Sequence, residues 1–409
     1  MIVNRIKYVV FALATLPFVF MTGCGQNRDG SVKENKDEIH IRVWESKDGV
    51  DTFIKQARQA YTAEHPNVRI DFVNVELHNT ADALENDAPL GIGPDIIAAP
   101  HDLLGSLVAK KLVIPTENPS EVANKVLKSC TKAITYNGTM YGYPVSAETY
   151  ALFYNKNLIR ENDVPKSWED LVEWVQGFNE SHPGKLGFVM DVTASYYSII
   201  FLTAGGNRLY GESGVDSSHP NMSTPLAIKG MEFFQSLRES LGLQETELST
   251  SSCDNLFASG NAAMYITGLW NVKAFEKAGI NFGVTTIPAL PGESTPAASF
   301  SGTRVMYVTA CSAHPKEAAD FLEFTLSPEM QQLRFNLTGS MPAISTNVNS
   351  PYISGFLKQL DYAFPMPSIP AMVKFWNEST GVLTDIWNGA DVESSLKAFN
   401  EKIKGNAVN

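Results

Sequence analysis

Cysteine is scarce in this chain: four in 409 residues, at positions 24, 130, 253 and 311. The last three cannot all pair with one another, and none stands at metal-ligand spacing. Three buried free thiols are the expectation, with a single disulfide left open, and no metal or cofactor is expected. Positive charge is also in short supply. Thirty-two Lys and Arg stand against 44 Asp and Glu, a net charge of −12 and a pI near 5.1. That balance argues against a nucleic-acid partner and against an electrostatic hold on anionic lipid. Catalytic signatures are missing too. There is no H-E-x-x-H, G-x-S-x-G, Walker loop or dinucleotide glycine fingerprint, and the seven histidines are scattered. No catalytic residue is assigned, although a surface glycosidase with two flanking carboxylates remains the alternative. Beyond residue 24 no apolar stretch approaches the ~20 residues of a membrane span.

What is present begins at the N-terminus. Arg5 and Lys7 precede an apolar run from Tyr8 to Met21, and Thr22-Gly23-Cys24 follow it. Basic start, apolar segment and small residues are the order of a secretory signal peptide. The run is short for a span and Pro17 interrupts it, so an uncleaved anchor is the lesser reading. The Thr-Gly-Cys ending resembles the lipobox of bacterial lipoproteins. That resemblance implies a leader over 1–23, lipidation at Cys24, a flexible tether over 24–37 and an extracytoplasmic, membrane-anchored protein. Two or three acyl chains, at about 0.8 kcal/mol per buried methylene, suffice for stable anchoring.

The remainder is long enough for two or three domains, and 44% hydrophobic with 10% aromatic residues is ordinary for a globular protein. Ile39-His40-Ile41-Arg42-Val43-Trp44 alternates with period two and predicts a strand. Phe53, Ile54, Ala57, Ala60 and Tyr61 predict a helix that stops at Pro66-Asn67. Residues 68–75 alternate again. Residues 93–99 read as a nearly all-apolar strand suited to a sheet covered on both faces, followed by a helix from Asp102 to about Lys111. The rhythm resumes with helices over 168–178 and 195–204, a strand over 187–190, a helix capped by Thr224-Pro225, and strands over 262–266 and 282–287. Residues 288–301 read as a loop or crossing segment, and the chain reads as helical from Pro315 almost to its end. Strands alternating with helices predict α/β architecture with a largely parallel sheet.

Several stretches, in order along the chain, resemble the maltose/maltodextrin-binding proteins. They are Gly93-Pro94-Asp95-Ile96-Ile97 with His101-Asp102; Tyr136-Asn137-Gly138, Tyr143-Pro144, Glu148 and Tyr154-Asn155-Lys156; and Pro165-Lys166-Ser167-Trp168-Glu169. Phe257, Gly260 and Ala263-Met264 leading to Gly268-Leu269-Trp270 continue the series, and Met366-Pro367, Ile369-Pro370 and Phe375-Trp376 complete it. The resemblance covers nearly everything after Glu38. It implies a solute-binding lipoprotein of an ATP-binding cassette sugar importer, with a periplasmic-binding-protein-like bilobal fold. Two discontinuous α/β lobes are then expected, with a hinge and an interlobe cleft. One holds 38–146 and 303–350, the other 150–300 and 352–409. The expected partners are an oligosaccharide and the permease subunits, and the expected state is a monomer. A sensor docking on a receptor domain is an alternative that the sequence leaves open.

A sugar offers apolar C–H faces and a rim of hydroxyls, so its cleft wants aromatic platforms and planar polar groups. The resemblance places Trp270 and Trp376 at stacking positions, with Tyr196 in preference to Tyr197. Asp102 and Glu148 fall at matched positions where a carboxylate accepts hydroxyls; capping of the following helix is an equal alternative for Asp102. The loop Glu45-Ser46-Lys47-Asp48 aligns loosely, with Asp48 as its candidate. Trp44, Trp168, Trp174 and Trp387 read as packing. Two departures from the family pattern stand out. Ala99 occupies an aromatic position and Leu103 an arginine position, so linear maltose held in the usual manner is not expected.

Overall fold

The computed structural model describes residues 38–47, 49–243, 248–346, 348 and 350–405. Its organising element is a strand the sequence pattern did not single out. Tyr143–Asn155 (β4) runs thirteen residues, all but one of them buried. Its first half pairs antiparallel with Phe300–Val308 (β8), the last such pair being Ser301–Thr149. From Tyr150 onward it pairs instead with Ala262–Gly268 (β6) and, from Leu152, with Phe282–Thr285 (β7). One strand thus belongs to two sheets and changes partner between Thr149 and Tyr150.

The first sheet adds Ile39–Glu45 (β1), Val68–Asn74 (β2) and Ile96–Pro100 (β3) in the order β2-β1-β3-β8-β4. β1 is parallel to β2 and β3, and β8 is antiparallel to β3. The second adds Leu186–Val189 (β5), parallel to β6 at its edge. The fold is therefore mixed α/β, and β4 and β8 supply antiparallel pairings that the expected parallel sheet lacks.

Helices cover these sheets because their apolar residues recur at helical spacing. Val50–Glu64 (α1) buries Val50, Phe53, Ile54, Ala57 and Tyr61, with Asp51 and Lys55 paired at 3.0 Å on the outside. Trp168–Ser181 (α3) starts where Ser167 accepts the Asp170 N–H at 3.2 Å, a cap worth about 1 kcal/mol, and buries Trp168, Leu171, Val175 and Phe178. Between them in sequence lies Leu104–Ala109 (α2); Ser195–Leu202 (α4), Pro328–Thr338 (α5) and Ala371–Trp387 (α6) follow.

Four readings need correction. Ala60, expected on the buried face of α1, is exposed, and Val50 is buried instead. The region after Pro315 is not continuously helical: the described residues between 339 and 352 carry no helix, and Gly339, in the left-handed region, ends α5. Asp102 caps nothing with its side chain, because the turn His101–Leu103 leads into α2 without a side-chain cap bond. Among the three described cysteines all are free, but Cys311 is exposed while Cys130 and Cys253 are buried.

Candidate functional site

The strand ends and turns where the two sheets meet carry the candidate residues. Trp270 follows the last residue of β6 in a short turn, Leu269–Asn271. Its indole folds back over Gly268; a Cβ there would stand 2.1 Å from the ring, so glycine is required for that approach. Trp270 is 38% exposed, against 0% for Trp168 and 1% for Trp387. A large apolar ring left in solvent beside other rings has a face to offer a ligand.

Those other rings form a chain. Tyr196, on α4, lies 6.0 Å from Trp270 between ring centroids and 6.2 Å from Phe300. Phe300, at the start of β8, lies 6.1 Å from Trp376 on α6. Tyr150 supports Tyr196 edge-on at 5.0 Å. Tyr196 is only partly covered whereas Tyr197 is buried, so the two neighbouring tyrosines lie in different surroundings. Burial, reinforced by the Glu148 carboxylate, pushes the Tyr196 phenol well above its ordinary pKa, so it stays neutral and able to donate.

The carboxylates line the same region. Asp102, in the turn after β3, accepts the Trp376 indole N–H at 2.8 Å through Oδ2. Its Oδ1 is buried with no hydrogen-bond partner among the described residues. Burial raises the Asp102 pKa to about 6, the Trp376 bond offsetting part of that. Glu148, on β4, takes the Ser146 hydroxyl at 2.8 Å. A Cβ built on Gly302 would sit 3.6 Å from Glu148 Cβ and 3.9 Å from the Tyr196 hydroxyl, which puts those two side chains around one glycine.

His101, left out of the expected site, ties the Asp102 turn to residue 366. Thr303 donates its N–H to Nδ1 at 3.2 Å, which leaves Nε2 to donate to the Met366 carbonyl at 3.1 Å. Burial drives the His101 pKa down to about 4, so the ring is neutral.

Trp270, Tyr196, Trp376, Asp102 and Glu148 are thus linked through contacts spanning both sheets. Asp48 and Cys24 lie outside the described residues. Sequence reading missed that Phe300, in the segment read as a loop or crossing, begins β8 as a fully buried ring under Tyr196 and Trp376, and that Arg304 binds the fully buried Glu45. An arginine inside an otherwise buried strand was the available signal. Trp44 and Trp174 pack as expected, Trp44 buried and Trp174 stacked on Phe178 at 4.9 Å.

Two α/β lobes sharing strands, with aromatic rings and carboxylates where they meet, define a two-lobed solute-binding protein. Residues 56–354 match the bacterial extracellular solute-binding protein family, and the chain belongs to it. It is similar to a galactooligosaccharide-binding protein of Bacillus subtilis, 28% identical over 98% of this chain and 97% of the relative. It is also similar to a maltooligosaccharide ABC transporter solute-binding lipoprotein of Streptococcus pneumoniae, 26% identical over 93% and 92%. Among solved structures, a cyclo/maltodextrin-binding protein complexed with maltotetraose superposes with a TM-score of 0.78 at 29% identity, covering 91% of this chain and 98% of that one. Proteins of this family bind solutes and do not transform them. Among the described residues, no helix is long and apolar enough to cross a membrane.

Proposed function

We propose that this protein captures an oligosaccharide between its lobes and delivers it to the permease of an ATP-binding cassette importer. The observation that carries this reading is the set of partly exposed rings Trp270, Tyr196 and Trp376, bridged from beneath by the fully buried Phe300 and closed at one end by the half-satisfied Asp102. Rings of that kind suit stacked glycosyl faces, and Asp102 and Glu148 suit their hydroxyls. Relatives named for malto- and galactooligosaccharides support the ligand class. Ala99 is buried and offers no platform, and Leu103 offers no donor, which favours a ligand other than linear maltose.

The lobes are assigned as 38–146 with 303–350 and 150–300 with 352–409, the partner switch in β4 marking one crossing. The protein works as a monomer, with residues 1–23 removed and Cys24 carrying the lipid anchor. Fatty-acid labelling that persists in Cys24→Ala would rule the anchor out. Calorimetry against maltotriose, maltotetraose, a cyclodextrin and a galactooligosaccharide tests the ligand. Binding near 1 μM, about −8 kcal/mol, is expected for at least one, and silence across the panel removes the sugar reading.

Closure has a testable contact. A Cβ on Gly105, at the start of α2, would stand 2.4 Å from the Ser368 carbonyl and 3.0 Å from Ile369 Cα. Gly105→Ala should therefore hold residues 368–370 away from α2 and shift the lobes toward the open state. We expect at least tenfold weaker binding and a larger radius of gyration with ligand present. Unchanged scattering and affinity would take this contact out of the closing surface.

A further inference from the structure

One wall of the proposed cleft carries charge that the aromatic and carboxylate site does not use. Arg304 on β8 stands opposite Pro100 of β3 and Ser146 of β4 in the sheet register. Ser146 and Glu148 are two residues apart and so share that face. Glu45 ends β1, one residue past the Trp44–Ile97 pair, level with Ala98 on the same face as Pro100. The register therefore gathers Glu45, Arg304, Ser146 and Glu148 on one face of the sheet.

Glu45 is fully buried and heavily engaged. Its Oε1 accepts the Ser46 N–H at 2.7 Å and Arg304 Nη2, and its Oε2 accepts Arg304 Nε at 3.1 Å. Arg304 Nη2 also donates to the Ser46 hydroxyl at 2.6 Å. Burial alone would raise the Glu45 pKa, but the Arg304 guanidinium overrides it and holds the carboxyl below its ordinary value.

A second guanidinium belongs to the same group. Arg334 on α5 is 1% exposed, with its Cζ 5.4 Å from the Phe53 ring centroid. None of its three side-chain nitrogens has a hydrogen-bond partner among the described residues. Burial and then Arg304 pull its pKa down to about 10, while Glu45 and Glu148 pull it up, so it lies within the field of all three. Glu45 thus has one guanidinium bound to it and a second, unbound one within its field. A buried charge with its donors unmatched is strongly unfavourable, and the Phe53 ring offsets only part of that.

We propose that Arg304 is a ligand-contacting, specificity-determining residue on this wall, and that the buried, unmatched Arg334 is a positioning residue that takes over Glu45 when Arg304 turns to a bound sugar. The exchange keeps a cation on Glu45 in both states, so neither arrangement strands a buried carboxylate. The planar Arg304 fork matches adjacent hydroxyls as an ammonium does not. It supplies, from β8, the guanidinium that Leu103 leaves out. This inference rests on the oligosaccharide reading given above.

The full chain and three variants test it, with the same four oligosaccharides as probes and thermal unfolding alongside. Arg304→Lys keeps the charge but loses the fork on buried Glu45; it should bind at least tenfold more weakly and melt at a lower Tm while remaining folded. Arg334→Met removes the unmatched charge while keeping bulk, so Tm should rise and affinity should fall at least fivefold. Arg334→Lys should restore most of that affinity. Folded Arg304→Lys or Arg334→Met with unaltered affinity overturns the proposal, as does an Arg334→Met chain that unfolds more easily or not at all cooperatively. A wild type silent on all four sugars removes the ligand class instead. In that case the Tm of Arg334→Met decides the rest: a rise supports a cation held in reserve, and a fall makes Arg334 structural.

Discussion

Replacing Trp270 by alanine will weaken oligosaccharide binding tenfold to a hundredfold and leave the melting temperature almost unmoved, whereas Trp168→Ala will do the reverse. Trp168 is 0% exposed and packs against Phe188 at 5.4 Å, Phe201 at 5.2 Å and Phe233 at 6.1 Å. Its indole N–H has no partner among the described residues, so its contribution is packing alone. Emptying such a site costs about 3–5 kcal/mol. Trp270 leaves over a third of its surface in water. Covering roughly 75 Å² of ring at ~25 cal/mol per Å² gives about 2 kcal/mol, with ~1 kcal/mol more from ring geometry. Calorimetry and thermal unfolding on both variants decide the matter. Equal losses of affinity would mean the rings at the lobe junction do not hold ligand.

The second large effect concerns two adjacent residues whose titrations oppose each other. The folded protein keeps a proton on Asp102 up to about pH 6, whereas the unfolded chain releases it near 3.8. Stability from this group is therefore lost as pH rises through that window. His101 behaves oppositely. Its ring stays neutral down to about pH 4 when folded but takes a proton near 6.5 when unfolded, so stability is lost as pH falls through that window. At about 1.4 kcal/mol per pH unit, each window is worth roughly 3 kcal/mol, and between pH 4 and 6 they nearly cancel. The wild type should show little net slope from this pair. Asp102→Asn should gain about 3 kcal/mol from pH 4 to 6.5, and His101→Gln should lose a similar amount from pH 4 to 6. Urea unfolding at four pH values measures this, and parallel profiles for all three proteins would refute it. Because an ionised Asp102 is the better hydroxyl acceptor, oligosaccharide affinity should also fall below pH 6.

Much of this was open to reading from local pattern. Phe53, Ile54, Ala57 and Tyr61 of α1 and the apolar run of β3 each announce themselves within a few turns or one strand, whereas Ala60, read on the same face, is exposed and Val50 is buried. Membership in a solute-binding family is carried by ordered short motifs. Other features were not local. β4 contains Ser146, Glu148 and Thr149, and its burial comes from two different sheets, so no single period marks it. Asp102 looked equally like a cap and like a ligand residue; its actual partner, Trp376, lies 274 positions away. Cys311 looked like a buried thiol because cysteines usually are, yet its place after β8 leaves it exposed.

The sequence by itself determined the alternation of strands and helices, the acidic character and the kinds of side chain available at the lobe junction. Those follow from periodicity and composition, which act over a few residues. Only the tertiary structure decided that Glu45 meets Arg304 across 259 positions, that Arg334 is buried with its donors unmatched, and that the rings from Trp270 to Trp376 stand in one chain of contacts. The physical reason is that a hydrogen bond or ring contact depends on distances of a few ångströms. Sheet register and helix docking set those distances, and no local run of residues encodes them.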